Sequence, residues 1–187
     1  GAGRYTKGGY AYAVQDVRGR FLSKGEYVPF APDREDGYDT IAWIHDQKFC
    51  DGNIGITGGS ALGITANLAA SINPPGLKAA YVVVAPQSQF LESNFIGGAF
   101  KESMIAGWMK GQASAGMVPM LRARVKMDPS WKQTDFVHYM QNVNIPVYNV
   151  GGWYDIFGKG SVSNFMYLQE KGKGKARGNQ KLMMGPF

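Results

Sequence analysis

The sequence predicts an α/β fold with a mostly parallel sheet. Short apolar runs rich in β-branched residues alternate with segments of helical periodicity, which is the arrangement that βαβ units require. Glycine accounts for 26 of the 187 residues, about twice its usual share of roughly 7%, and this indicates many tight turns. With 44% hydrophobic residues, a chain of this length has enough apolar surface to bury the core of one domain.

The first part of the chain, residues 1–86, is predicted to contain three strands joined by two crossovers. The strands are expected at 10–17, 53–57 and 79–85, where β-branched and aromatic residues are frequent, and Pro86 ends the last run. Helices are expected from about 34 to 47, with Asp33 as N-cap, and over 64–72. A helix between successive strands favours parallel pairing.

Residues 87–141 are predicted to form a short helical cap inserted after the third strand. Met104, Ile105, Trp108 and Met109 recur at helical spacing, and further methionines follow among Gly, Ser and Pro residues. A methionine stripe of this kind favours packing within a helical core, and contact with a substrate is the alternative for its other faces. The sheet is expected to resume in residues 142–187, with strands over 145–150 and 181–184 and a helix over 161–170.

A serine stands at the apex of the Gly-rich segment Gly58-Gly59-Ser60-Ala61-Leu62-Gly63, between a predicted strand and a predicted helix. An α/β-hydrolase presents its nucleophile in this way, because the sharp turn pushes the hydroxyl outward. The amide of the following residue and the helix N-terminus then face a developing oxyanion. The alternative is a Gly-rich turn in an α/β domain without a catalytic role.

An acid follows the later strand at 145–150, where Gly151-Gly152-Trp153-Tyr154-Asp155 turns out of the sheet. The carboxyl ends of parallel strands border the crevice in which such sheets bind ligands. In the α/β-hydrolase fold the chain order is nucleophile, acid, histidine, so Asp155 has the position expected of the acid. The alternative for Asp155 is the N-cap of the helix that follows.

Several further motifs occur in order along the chain. They are Gln15-Asp16-Val17-Arg18-Gly19-Arg20, Ser23-Lys24-Gly25-Glu26, Asp36-Gly37-Tyr38-Asp39-Thr40, the serine turn at 58–63, Pro74-Pro75, Gly97-Gly98-Ala99-Phe100, Gly152-Trp153-Tyr154-Asp155 and Gly185-Pro186. Together they resemble the superfamily of the cocaine esterases, α-amino acid ester hydrolases and X-prolyl dipeptidyl peptidases. The resemblance covers most of the chain and implies an α/β-hydrolase fold with a helical cap.

The resemblance also implies roles for individual residues. Ser60 and Asp155 are the candidate catalytic residues, as nucleophile and as the acid that orients an imidazole, and the amide of Ala61 is a candidate oxyanion donor. Trp153, Phe157 and Phe100 are the candidate substrate-binding residues on the acyl side. In the family a histidine follows the Gly-Pro motif, which here corresponds to the second position beyond Phe187, and a tyrosine in a loop that would precede Gly1 supplies a second oxyanion donor.

The two histidines within the chain are weaker candidates for the base. His45 belongs to the predicted helix at 34–47, where a structural or surface role is expected. His138 precedes Asp155, which reverses the expected order of acid and histidine.

Composition argues against several other classes of site. A single cysteine, Cys50, and two histidines argue against a metal site, and no cofactor is expected. Much of the net charge of +6 lies in the lysine-rich segment 171–181, which is predicted to be a solvated, mobile connection because no aromatic residue interrupts it to stack on bases. No run approaches the ~20 apolar residues of a membrane-spanning helix. We therefore expect no nucleic acid and no membrane as partner, and leave compartment and oligomeric state open.

The function predicted from the sequence is hydrolysis of an ester or amide bond in a small molecule or peptide, through an acyl-enzyme on Ser60. An aminopeptidase of the X-prolyl dipeptidyl peptidase type is one alternative. A catalytically inactive hydrolase fold used for binding is another, and a basic adaptor that binds nucleic acid through 171–181 is a third.

Overall fold

The computed structural model describes residues 2–187. Its central sheet has four parallel strands in the order β1-β2-β5-β6. These strands are β1 (Ile54–Gly59), β2 (Leu77–Val83), β5 (Val147–Gly152) and β6 (Lys181–Gly185), and a small antiparallel hairpin comprises β3 (Phe95–Ile96) and β4 (Ala99–Phe100). The parallel sheet predicted from the sequence is confirmed.

Six α-helices accompany these strands in the described residues. They are α1 (Ala2–Lys7), α2 (Asp33–His45), α3 (Ala61–Ala70), α4 (Glu102–Gly111), α5 (Val118–Ala123) and α6 (Gly158–Lys171). A π-helix covers Gln89–Asn94, and 3-10 turns cover Ala115–Met117, Pro129–Gln133, Phe136–His138 and Met140–Asn142. None of the helices within residues 2–187 is long and apolar enough to cross a membrane.

The predicted strand at 10–17 is wrong. This segment pairs with no strand of the described chain, and Tyr10 and Val14 are 70% and 77% exposed. An alternating apolar pattern stabilises a strand only where a neighbouring strand completes the ladder and one face is buried. The segment is instead fastened by side chains, since Ser23 Oγ donates to the carbonyl of Asp16 and Thr40 Oγ1 donates to Gln15 Oε1.

Asp33 does not cap α2, as the sequence had suggested. The N-cap is Pro32, and Asp33 is the first residue of the helix, where its side chain makes no capping hydrogen bond. The carboxyl of Asp33 is buried, and burial together with the nearby charge of Asp36 raises its pKa to about 6.

The buried residues within 2–187 form two apolar clusters. The larger contains residues of α3, β2 and β5 together with Leu168 of α6, so the helices pack against the sheet. The smaller lies between residues 90 and 131 and gathers the buried residues Phe90, Phe95, Ile105, Met109, Val118, Leu121 and Trp131. Met109 is buried there as predicted, whereas Met120 and Met127 are 47% and 40% exposed. The smaller cluster gives residues 90–131 an apolar core of their own.

The lysine-rich segment joins α6 to β6. Its lysines are exposed, as predicted, but Ala176 is fully buried and the side chain of Gln180 donates to the carbonyl of Ala176 at 2.6 Å. Gln180 also accepts from the amide of Val147 at 3.0 Å. The segment is therefore held against the start of β5 by buried contacts beneath its charged surface.

Candidate active site

Ser60 lies between the end of β1 and the start of α3 with φ 54° and ψ −121°. This conformation is unfavourable for a residue with a Cβ, and such strain concentrates at functional sites. The backbone is held in place by a 2.9 Å hydrogen bond from the amide of Ser60 to the carbonyl of Val83 on β2. Ser60 itself is exposed, so its side chain is accessible at the carboxyl edge of the sheet.

Close backbone packing explains the glycines around Ser60. A Cβ on Gly58 would overlap the carbonyl oxygen of Leu62, and a Cβ on Gly63 would lie 3.0 Å from Cβ of Ala85. The turn can therefore be this tight only because both positions lack a side chain.

Ala61 is the first residue of α3. The first amides of a helix have no intrahelical acceptor, and the helix N-terminus carries a partial positive charge. Both features favour an oxyanion beside the Ser60 hydroxyl.

Asp155 lies in the turn that joins β5 to α6 and is half-buried. Its Oδ2 accepts a 2.7 Å hydrogen bond from the amide of Phe157, the residue just before α6. Its own amide donates to the carbonyl of Gly152 at 3.3 Å. The carboxylate thus braces the start of α6, as the capping alternative suggested, and this bond occupies only one of its two oxygens.

Ser60 follows β1 and Asp155 follows β5, the two strands that lie on either side of β2 in the sheet. Gly59 of β1 is in register with Val83 of β2, and Val83 is in register with Val150 of β5. Since parallel strands lie about 4.8 Å apart, the strands that carry the two residues are separated by roughly 10 Å. Both side chains therefore leave the sheet at the carboxyl edge, where ligands bind in parallel sheets.

The end of the chain packs directly against the turn that carries Asp155. The amide of Tyr154 donates to the carbonyl of Phe187 at 3.0 Å, and the amide of Trp153 donates to the carbonyl of Gly185 at 3.0 Å. A Cβ on Gly152 would overlap the carbonyl oxygen of Phe187, so the two backbones are in contact.

The three predicted substrate-binding residues have different surroundings. Trp153, two residues before Asp155, is 69% exposed, whereas Phe157 is only 7% exposed. Phe100 is half-buried, with its ring 5.4 Å from that of Phe95 and 5.9 Å from the guanidinium of Arg122. Their contact with a substrate stays a prediction, and the exposure of Trp153 makes it the most accessible of the three.

Neither histidine of the chain is in contact with Ser60 or Asp155. The ring of His45 lies beside Gly76, which precedes β2 and so marks the opposite edge of the sheet. His138 belongs to a 3-10 turn and lies next to Asp135, whose carboxyl is buried and holds the hydroxyl of Ser88 at 2.7 Å.

Lys101, near Asp155, was not predicted as a site residue. Lys101 donates from Nζ to the carbonyl of Glu92 at 3.0 Å, and the same Nζ lies 5.3 Å from the centre of the Phe157 ring. Burial lowers the pKa of Lys101, while the charges of Asp155 and Glu92 raise it. No periodicity or motif marks Lys101 in the sequence, because its importance comes from the tertiary contact with the Asp155 turn.

Within residues 2–187 there is no group of three or more His, Cys, Asp or Glu side chains arranged to hold a metal ion.

A parallel sheet with a strained serine after its first strand and a carboxylate after its third defines the α/β-hydrolase class. Within that class, the profile described as X-Pro dipeptidyl-peptidase (S15 family) matches residues 2–126 and 115–187. These matches span nearly the whole chain, and the protein belongs to this family. The resemblance inferred from the sequence is thereby confirmed.

Individual relatives agree with this assignment. The chain is 40% identical over 105 residues to a cocaine esterase from Rhodococcus sp. (strain MB1 Bresler), which covers 56% of the chain and 18% of that protein. A CocE/NonD family hydrolase from Staphylococcus aureus superposes with a TM-score of 0.77 at 26% identity, over 90% of the chain and 31% of that structure. An α-amino acid ester hydrolase has the same fold, with a TM-score of 0.71 at 21% identity over 98% of the chain and 38% of that structure. The chain thus spans well under half the length of each relative.

Proposed function

We propose that this protein is a serine hydrolase that cleaves an ester or amide bond through an acyl-enzyme on Ser60. The observation that carries the proposal is the strained backbone of Ser60, exposed at the carboxyl edge of the sheet and followed at once by a helix N-terminus. The esterase and peptidase names of its relatives support a hydrolytic reaction.

In the proposed reaction the hydroxyl of Ser60 attacks the substrate carbonyl while an imidazole takes its proton. The amide of Ala61 donates to the oxyanion that forms, and the imidazole then passes the proton to the departing alcohol or amine. Water next attacks the acyl-enzyme, gives a proton to the imidazole, and releases the acid as Ser60 regains its hydrogen. Asp155 holds the imidazole in the required tautomer through its remaining oxygen.

We infer that the imidazole comes from the second position beyond Phe187, as in the family. Support comes from the hydrogen bond between the amide of Tyr154 and the carbonyl of Phe187, because a chain continuing from Phe187 starts beside the turn that carries Asp155. A residue two positions further on is within about 7 Å of Phe187 along an extended chain.

For the substrate, we favour an ester or amide whose acyl group carries no ammonium. An α-amino-acyl or X-Pro substrate needs a carboxylate to bind its ammonium, and each acidic residue of the cap has a neighbouring group with which an ammonium would compete, or is buried. Glu102 pairs with Arg122 at 2.9 Å, Asp128 accepts from Ser130 and pairs with Arg124, and the carboxyl of Asp135 is fully buried. The fourth, Glu92, accepts from the amide of Gln87 at 2.7 Å. The dipeptidyl peptidase reaction stays the alternative, supported by the family description.

The test is covalent labelling of the full-length protein with a fluorophosphonate, a reagent that modifies an activated serine. We expect labelling of the parent protein and of Ser103→Ala, which removes an exposed hydroxyl on α4, and no labelling of Ser60→Ala. A full-length protein that is not labelled contradicts the proposal and favours a catalytically inactive binding protein. Comparing p-nitrophenyl butyrate with an X-Pro p-nitroanilide then separates the two substrate classes.

A further inference from the structure

Lys101 connects the cap to the turn that carries Asp155. It follows the β3–β4 hairpin and immediately precedes α4, and its amide donates to the carbonyl of Asn94 at 2.8 Å. The backbone of Lys101 is therefore fixed on the cap side. Its ammonium is tethered to the carbonyl of Glu92 at 3.0 Å and faces the ring of Phe157 at 5.3 Å.

Phe157 joins this ammonium to the proposed acid of the triad. Its ring is 7% exposed and packs under Lys101, while its amide holds Oδ2 of Asp155 at 2.7 Å. A cation over the face of a buried aromatic ring attracts that ring. Packing that fixes the ring restrains the Cα of Phe157, and with it the amide that holds the carboxylate of Asp155.

The carboxylate of Glu92 acts on the ammonium of Lys101 through its charge. Its Oε2 accepts from the amide of Gln87, and this oxygen lies so close to α6 that a Cβ on Gly160 would be 2.5 Å from it. The carboxylates that act on Lys101 are thus Glu92, from the π-helix, and Asp155, from the β5–α6 turn. Among residues 2–187, Lys101 forms no ion pair within 4.0 Å with either carboxylate.

We propose that Lys101 is a positioning residue for Asp155, acting from the cap through the ring of Phe157 and through its charge; this rests on the proposed serine hydrolase function. Because the ammonium does not bind the carboxylate directly, the second oxygen of Asp155 is left for the imidazole. The positive charge also favours the ionised carboxylate and opposes the imidazolium. The cap thereby controls both the geometry and the protonation of the triad.

The experiment measures ester hydrolysis by the full-length protein against pH, using p-nitrophenyl butyrate. Lys101→Met removes the charge and keeps an apolar stem, Lys101→Arg keeps the charge, and Lys110→Met is the matched control because Lys110 is exposed at the end of α4. In Lys101→Met we expect kcat to fall about tenfold with KM within about twofold, since misplacement of a positioned group slows the chemical step.

The pH profile separates positioning from a merely structural role. Loss of a cation near the imidazole raises the imidazolium pKa. The acid limb of the kcat/KM profile therefore moves to higher pH by roughly half a unit, which is the shift expected from one charge acting through water-like surroundings. In Lys101→Arg and Lys110→Met the acid limb is expected to stay at the pH of the parent protein. If Lys101→Met fails to fold, the same kinetic constants and pH profile are measured for Lys101→Gln, which also removes the charge.

Two outcomes overturn the proposal while leaving the serine hydrolase intact. In the first, Lys101→Met matches Lys110→Met in both kcat and acid limb. In the second, Lys101→Met loses kcat in step with its thermal stability and the limb does not move. Failure of the parent protein to react with the fluorophosphonate is a different result, because it removes the proposed function on which the role of Lys101 rests.

Discussion

The amide of Phe157 donates a 2.7 Å hydrogen bond to Oδ2 of Asp155. This bond fixes the rotation of the carboxylate from within the turn that precedes α6, and it leaves Oδ1 to accept from an imidazole N–H. In the proposed triad, this carboxylate orients the histidine and stabilises the imidazolium without taking up its proton.

Asp155→Asn tests that role. The amide side chain keeps the size of the carboxylate but presents a donor where the imidazole N–H needs an acceptor, so the tautomer is wrong. We expect kcat for p-nitrophenyl butyrate to fall by about 10⁴-fold, as in other triads. Asp46→Asn, an exposed residue at the end of α2, is the control and is expected to keep full activity. Equal activity in both variants would show that Asp155 only braces the helix.

Trp153→Ala tests the rim of the site. Because the side chain is 69% exposed, its loss is expected to change the free energy of unfolding by less than about 0.5 kcal/mol. If the ring contacts the acyl group, KM for a bulky aryl ester rises several-fold, while KM for an acetyl ester changes little. Trp43→Ala, 61% exposed on α2, is the matched control. An unchanged KM for both esters would exclude Trp153 from the acyl subsite.

Gly58→Ala tests the geometry of the serine turn. The added Cβ overlaps the carbonyl of Leu62, which belongs to backbone and cannot rotate away. We expect a loss of about 2 to 4 kcal/mol in the free energy of unfolding, measured in urea. Gly107→Ala adds a methyl group on α4 where nothing lies within 4 Å, and is expected to be neutral or stabilising by up to about 1 kcal/mol. If Gly58→Ala leaves the free energy of unfolding unchanged, the close packing of Gly58 against the carbonyl of Leu62 is contradicted.

Asp33→Asn tests the buried carboxyl at the start of α2. Burial raises the pKa of Asp33 to about 6, above its value in the unfolded chain, so the folded state binds a proton that the unfolded chain releases. The free energy of unfolding is therefore expected to fall as pH rises from about 4 to about 6, and to stay low above that. Asn has no such penalty, so Asp33→Asn is predicted to be more stable than the parent by about 1 to 3 kcal/mol near pH 7.5.

The control for this prediction is the same pair at acid pH. Near pH 4 the carboxyl of Asp33 is protonated to a larger extent in both the folded and the unfolded parent. The extra stability of Asp33→Asn is therefore expected to shrink to a small fraction of its value near pH 7.5. Glu170→Gln, an exposed residue of α6, should show no such pH-dependent gain. A constant difference between Asp33→Asn and the parent across this range would contradict the raised pKa.

The sequence predicted those features whose cause is local. The Ser60 turn was recognisable because close backbone packing requires Gly58 and Gly63, and because strand and helix patterns flank it. The place of Asp155 followed from the general order of strands and acids in parallel sheets. The exact role of its carboxylate at the start of α6 became visible only in the hydrogen bond to Phe157.

Features with a tertiary cause were missed. The strand predicted at 10–17 has the right alternation but no partner in the described chain, and pairing partners are not encoded in a local pattern. Asp33 has the composition of an N-cap, yet Pro32 occupies that position. Lys101 lies far along the chain from Asp155 and approaches it through the ring of Phe157, so no spacing rule could have identified it.

The carbonyl group and the ring of Phe187 both lie against Gly152. A side chain at position 152 would displace the backbone of Phe187, so this position tolerates no residue larger than glycine. Engineering for new substrates should therefore be directed at positions whose side chains are free to change, above all Leu62, Trp153 and Ile156, which are 62%, 69% and 58% exposed.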